Sequence, residues 1–441
     1  MSNSEVVISD DARISSSNST GLILTLPSEI ILEICGLLLG PELVYFAQTC
    51  KILYAFLREP YLWRKLCSQH GVVDPSRYGV KSFFTVYTQL LYPFGPLLGL
   101  WANDHPYSGN ILQFILWSGS GEENGGILGG VWRFPDPDSH SMEDGLPVFC
   151  PGQPVFVNIL KIELHEDGQR ASISCIRHPE AGFQPHRLTM TVAASSSQGL
   201  FLQTHRRSFT HTPFPGRSPP WLDQSARRLP RLIPTHLPPV DQRGMANMFP
   251  AIQLPILFSA PVYDTSPASL VLDCDNPTTV CELWHQPRIT FDGLLPYPPS
   301  YFPIHPVIQR SPTSSPDSSA VEYRLLEGLW LYVDGRHGTQ CLYIETQDSD
   351  NNFSYLFRAW KITGDAYVPR GEVKWSVTGE VNSQHIYRGA GVVGDRGFLV
   401  KRHGEIIVEI QTMDRIRVSW VDQHDIQLCV RYTSSSKPSL Q

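Results

Sequence analysis

The stretch Leu26-Pro27-Ser28-Glu29-Ile30-Ile31-Leu32-Glu33-Ile34 decides how the rest of the chain is read. Proline suits the first turn of a helix, where its missing N–H costs nothing, and Thr25 precedes it as a cap. Ile30, Ile34, Leu37 and Leu38 then recur at helical spacing, with Glu29 and Glu33 on the wet side. Gly40 and Pro41 punctuate the pattern. A second segment with Leu43, Phe46, Ala47 and Cys50 follows, and then a third with Leu53, Phe56 and Leu57. Pro60 stops that one, and Tyr61 to Cys67, with Leu62, Trp63 and Leu66, follows. A helical unit of some fifty residues hides only part of its surface. Its surplus of Leu, Ile and Phe therefore packs either on the rest of the chain or on another protein.

The order of landmarks favours the second reading. Leu26-Pro27, Glu29-Ile30-Ile31, Ile34, Leu43 and Leu62-Trp63 resemble an F-box. The resemblance implies docking to the Skp-type adaptor of a cullin–RING ubiquitin ligase through Leu26, Pro27, Ile30, Ile31, Ile34, Leu43 and Trp63. Ala47 and Thr49-Cys50-Lys51 depart mildly from the family pattern.

Working outward, residues 1–20 are polar and serine-rich and are expected to be a disordered tail, as are 434–441. Lys81 to Tyr92 reads as one more helix, which makes 21–95 the F-box and its linker helices. From Leu97 the period changes. Ile111 to Trp117, Val155 to Leu164, Ala171 to Ile176 and Arg187 to Val192 read as strands, so 96–204 is a β-rich half. Between Pro213 and Pro316 lie 21 of the 37 prolines. Proline does not donate to a ladder, so 205–320 reads as a long Pro-rich insertion, with Ile252 to Phe258 and Ser269 to Leu272 as edge strands at most.

The strand code returns in 321–433, in eight short segments: 328–333, 341–346, 354–363, 371–377, 398–402, 406–411, 416–421 and 426–432. The starts Gly99-Leu100-Trp101 and Gly328-Leu329-Trp330 suggest two related halves, which are expected to close one barrel. The fold class is therefore α+β: a small N-terminal helical F-box, then a mostly antiparallel β-barrel with a long Pro-rich insertion.

Composition limits the function. At 441 residues there is room for two or three domains, and a net charge of −7 argues against general nucleic-acid binding. Nine cysteines without a CxxC suit reduced thiols in the cytosol or nucleus. No apolar run is long enough to span a membrane, and the N-terminus does not read as a signal peptide. Gly389-Ala390-Gly391-Val392-Val393-Gly394 has the form of a dinucleotide fingerprint, but a turn and strand follow it instead of a helix, so it reads as a glycine-rich strand connection. The residues show no HExxH, zinc spacing or nucleophile elbow. Catalytic residues, metal and cofactor are accordingly assigned as none.

The pairs Gly99-Leu100-Trp101 and Gly328-Leu329-Trp330, with Lys361-Ile362-Thr363-Gly364-Asp365 and Gly389-Ala390-Gly391, resemble the β-barrel substrate domain of one branch of the F-box-only proteins over about 20–133 and 322–432. The resemblance implies a non-catalytic substrate receptor, in which the barrel holds a substrate protein. Arg336, His337, Lys361, Thr363 and Asp365 are expected to meet at one mouth over an aromatic floor from Trp101 or Trp330, a site suited to a short peptide or chain end. The alternatives are an F-box scaffold outside a ligase and a barrel that holds a small molecule. Asp365 also has a plainer role, the fixing of its own turn.

Overall fold

The computed structural model describes residues 22–103, then 110–175 and 326–432 apart from short breaks, and the segments 188–193, 269–274 and 300–304. A 3-10 turn over Leu22–Thr25 leads into helix α1, Ser28–Leu37, whose N-cap is Pro27; Thr25 does not cap it. Helices α2 (Gly40–Gln48), α3 (Lys51–Phe56) and α4 (Pro60–Ser68) follow. Glu42 closes the start of α2 by accepting from the Leu39 amide at 2.9 Å. The linker helix is irregular: α5 over Phe83–Val86, then a π-helical segment over Tyr87–Leu91, before Pro93. Ser82 caps α5 through the Phe84 amide.

Ten strands form the first β-unit: β1 (Gly99–Asn103), β2 (Ile111–Trp117), β3 (Gly126–Arg133), β4 (His140–Glu143), β5 (Leu146–Phe149), β6 (Val155–Leu164), β7 (Ala171–Cys175), β8 (Leu188–Ala193), β9 (Ser269–Cys274) and β10 (Ser300–Ile304). Eight of them make one sheet in the order β7-β6-β3-β2-β1-β10-β9-β8, and β4-β5 is a separate hairpin. The second unit has β11 (Gly328–Val333), β12 (Thr339–Asp348), β13 (Ser354–Lys361), β14 (Val373–Glu380), β15 (Ile386–Gly394), β16 (Lys401–Thr412), β17 (Arg415–Trp420) and β18 (Asp425–Arg431). These eight close a barrel by themselves, β18 returning to β11.

The α+β class and the antiparallel barrel agree with the sequence reading. The expectation that both β-rich halves close one barrel does not. The C-terminal strands satisfy one another completely, so no edge is left for the N-terminal half. The Pro-rich stretch is also more than an insertion, because β9 and β10 come from it. β9 lies between β10 and β8 and is not an edge. β10 tolerates Pro303 because pairing with β9 ends at Tyr301, while β1 alone lies opposite the proline. Ile252 to Phe258 and both tails lie outside the described residues.

One apolar core runs from Ile31, Leu43, Leu62 and Trp63, through Val86, Leu90 and Leu91, into Trp101, Phe114, Ile127 and Ile162 of the first sheet. A second fills the C-terminal barrel with Trp330, Leu342, Trp375, Val408 and Trp420. A third joins the two units, with Leu100, Ala102, Ile111 and Trp132 packed against Leu329, Leu331, Cys341 and Tyr432.

Gly389-Ala390-Gly391 is the middle of strand β15, not a connection. A Cβ on Gly391 would come within 2.2 Å of the Trp420 ring, so the glycine makes room for an inward tryptophan. Strand β16, Lys401–Thr412, is continuous over the end of the expected segment 398–402 and all of 406–411.

Candidate functional site

Two surfaces have functional geometry. The first is on the helices. Alternation around α1 turns Ile31 and Cys35 into the core, which leaves Ile30 47% and Leu37 80% exposed. Leu26 and Pro27 are also exposed, and Ile34 is half-buried. Ile31, Leu43 and Trp63 are core residues; the Trp63 indole donates to the Leu57 carbonyl at 2.7 Å and its ring meets Phe84 edge-on. These three are buried in the core that the helices share. Sequence reasoning missed Tyr45, 71% exposed, together with Ile52, Tyr54 and Tyr61. Their signal was available: they are large apolar residues out of phase with the inward face.

The second surface is one mouth of the C-terminal barrel. In an up-and-down barrel every odd strand here ends where the next even strand begins. The connections β11–β12, β13–β14, β15–β16 and β17–β18 therefore share one end. Lys361 closes β13 and is fully buried. Its Nζ pairs with the Asp365 carboxylate and lies 3.8 Å from Asp334, which Lys374 also reaches at 3.3 Å. The Tyr332 hydroxyl donates to Gln340 at 2.9 Å and lies 3.3 Å from Asp334. Lys401 of the next connection pairs with buried Glu372.

These charges fold the β13–β14 loop over the barrel end. Asp365 Oδ1 accepts from the amides of Tyr367 at 2.7 Å and Val368 at 2.8 Å. The Thr363 hydroxyl accepts from the Cys341 amide at 2.9 Å, and Gly371 N donates to Lys361 O at 2.6 Å. Asp365 thus both fixes its turn and balances Lys361. Burial opposes its ionised form, but Lys361 and Lys374 beside it hold its carboxyl below the ordinary carboxylate range. Burial pushes the Lys361 amine down, against the pull of Asp365 and Asp334. Asp425, at the start of β18, is raised by burial and by Asp334.

Lys361, Thr363 and Asp365 are therefore brought together, but under the surface. Arg336 and His337 lie outside the described residues. The expected floor is corrected. Trp101 belongs to the other β-unit, and Trp330 donates from its indole to Leu326 O at 2.9 Å, at the opposite end. The aromatic groups beneath this mouth are Tyr332 and Trp420, over which the Lys361 and Lys374 ammonium groups sit at 5.9 and 5.2 Å. On the outside, Tyr367, Val400 and Val421 expose apolar surface from three of the four connections. No group of three or more metal-ligating side chains occurs among the described residues. No helix among them is long and apolar enough to cross a membrane.

The helices match the family model described as F-box-like over residues 23–69. F-box only protein 31-A of Xenopus laevis is 40% identical over 99 residues, which cover 21% of this chain and 19% of the relative. The chain thus carries an F-box-like domain and is similar to a protein of the F-box-only type, of whose length it spans about a fifth. The barrel end of the chain matches a second model, described as Cyclin D1 binding domain, over residues 308–426. That span takes in β11 through β17 and the charged mouth.

Proposed function

We propose that this F-box protein is the substrate-receptor subunit of a Skp–cullin–F-box ubiquitin ligase. The helices at 21–95 dock the adaptor, and the barrel at 321–433 holds the substrate. The observation that carries the reading is the apolar stripe of Leu26, Ile30, Leu37, Tyr45, Ile52 and Tyr54, exposed within and beside the segment that the F-box-like model matches. A few apolar anchors usually dominate such an interface. Recognition is placed on the mouth framed by Tyr367, Val400 and Val421, with the Lys361–Asp365 pair as its support. The Cyclin D1 binding model makes a D-type cyclin the first partner to test. The subunit's contribution is proximity, with the chemistry left to partner subunits and the setting cytoplasmic or nuclear.

The test is co-purification with a Skp-type adaptor and cullin. Ile30→Asp sets an unpaired carboxylate in the stripe; adaptor binding is expected to be lost with the barrel still folded. Unchanged recovery of the adaptor would overturn the assignment. Adaptor binding without cullin would leave an F-box scaffold instead.

A further inference from the structure

A subunit that holds substrates for ubiquitin transfer faces the same chemistry itself. In the transfer step a lysine amine attacks the carbonyl carbon of the thioester that joins the ubiquitin C-terminus to the transferring enzyme. The N–C bond forms, the C–S bond breaks, the sulfur leaves as thiolate and the amine sheds a proton. Arginine does not take this part, because its guanidinium is delocalised and stays protonated. A receptor stays beside the thioester through every cycle, at an effective concentration that a substrate reaches only while bound. Each exposed lysine on the receptor is therefore a competing acceptor.

The chain has eight lysines against 27 arginines, although lysine is ordinarily among the commonest residues. Their placement is uneven. Lys51, Lys65 and Lys81 belong to the helical region that docks the adaptor in the reading above. From residue 162 to residue 360 there are 15 arginines and no lysine. Beyond the helices only Lys161, Lys361, Lys374, Lys401 and Lys437 remain, and Lys437 lies outside the described residues.

Of the four that are described, three are out of reach. Lys361 is buried against Asp365 and Asp334, and Lys374 is buried against Asp334. Lys161 is 14% exposed, with Nζ 2.7 Å from Glu163 and 5.2 Å from the centre of the Trp117 ring. Lys401 is 41% exposed, at the start of β16 beside Val400, and its Nζ pairs with buried Glu372. Other exposed cations of the second unit are arginines: Arg388, Arg402 and Arg415. Arg388 is 76% exposed and meets Glu405 through one nitrogen, at 3.0 Å. A single contact in water needs no guanidinium fork, so a lysine would serve that pair as well. Packing gives no reason for arginine there; the chemistry of the acceptor gives one.

We infer, on the receptor reading above, that the β-units of this chain are cleared of ubiquitin acceptors, and that Lys401 is the modification site left open on the barrel. Charge is kept on the surface as arginine, and the remaining amines are buried or capped. The receptor thereby outlasts repeated cycles of transfer to its substrates.

The test uses the full chain assembled with adaptor, cullin and RING subunit, and supplied with ubiquitin-charged transferring enzyme but no substrate. Conjugates are located by mass spectrometry. Within the β-units the wild-type chain is expected to carry ubiquitin on Lys401 and not on Lys161, Lys361 or Lys374, and Lys401→Arg should remove that conjugate. Arg388→Lys with Arg415→Lys restores acceptors at unchanged charge. This variant should raise self-modification by about fivefold, on the new lysines, with adaptor binding and melting temperature unchanged. Self-modification that stays at the wild-type rate in this variant would overturn the inference, because the arginines would then protect nothing. Conjugation at Lys161 equal to that at Lys401 would overturn the assignment of Lys401. Recovery of cullin with the chain is scored first. A chain that brings down no cullin fails the receptor reading and takes the inference with it; a chain that assembles and shows either contrary result fails the inference alone.

Discussion

The two β-units start from the same glycine–leucine–tryptophan device and finish differently. In the C-terminal barrel, β15 and β16 pair over nine positions, from Ile386 opposite Glu409 to Gly394 opposite Lys401. At the matching place in the first unit, β7 is described over five residues and β8 over six, with no bond between them among the described residues. Closure also goes with what the interior tolerates. A barrel closed on itself shields the Lys361–Asp365 pair, whose buried charges need saturating partners. At the register of Lys361 the first unit holds Val131.

The sharpest way to break this comparison is to exchange the residues that differ. Lys361→Met leaves Asp365 buried without its cation, and should destabilise the second barrel by about 3–5 kcal/mol. Val131→Met in the first unit adds bulk without removing a charge and should cost less, about 1–3 kcal/mol. Denaturant unfolding followed by hydrogen exchange in each unit checks both. Similar losses would mean that the pair carries no special weight.

Acid offers a milder test of the same pair. Asp365 has a folded-state pKa below its ordinary 3.8, so its contribution is present above that value and fades as pH falls below it. Protection in β13 and β14 should therefore drop below about pH 4, with β2 and β3 less affected. Asp425 works in the opposite sense: its raised pKa favours the protonated form, so its own contribution grows as pH falls. Loss of protection already at pH 5 to 6 would point to another titrating group. In this comparison hydrogen exchange is read at about pH 3 to 6 on the full chain.

Trp101→Phe and Trp330→Phe sharpen the likeness. Each removes the indole N–H that serves a carbonyl four residues back, Leu97 O or Leu326 O, at a cost of about 1–3 kcal/mol. The two losses should agree closely in urea midpoints; a large disparity would show that the shared sequence is used in two different ways. The smallest effect is in the seam. Amides of β7 and β8 should exchange faster than those of β15 and β16 in the unmodified chain, and equal protection would mean that the first unit is closed as tightly as the second.

The sequence was enough for the four helices of 28–68, for the strand character of most of 328–431 though not for β15, and for the meeting of Lys361 with Asp365. Local signals carry those: prolines at helix starts, a period of two, and turn residues at a fixed spacing. Even the repeat was visible in Gly99-Leu100-Trp101 and Gly328-Leu329-Trp330. What the chain could not state locally was partnership. Whether a strand closes on its neighbour or on one two hundred residues away depends on the ladder left unpaired, which only the assembled sheet reveals. In the same way, helical spacing put Ile30 and Ile31 on one short helix, but packing against Leu62 and Trp63 decided that Ile31 is core and Ile30 is surface. A face exists in sequence as a period; which way it turns is set by the surface that removes it from water.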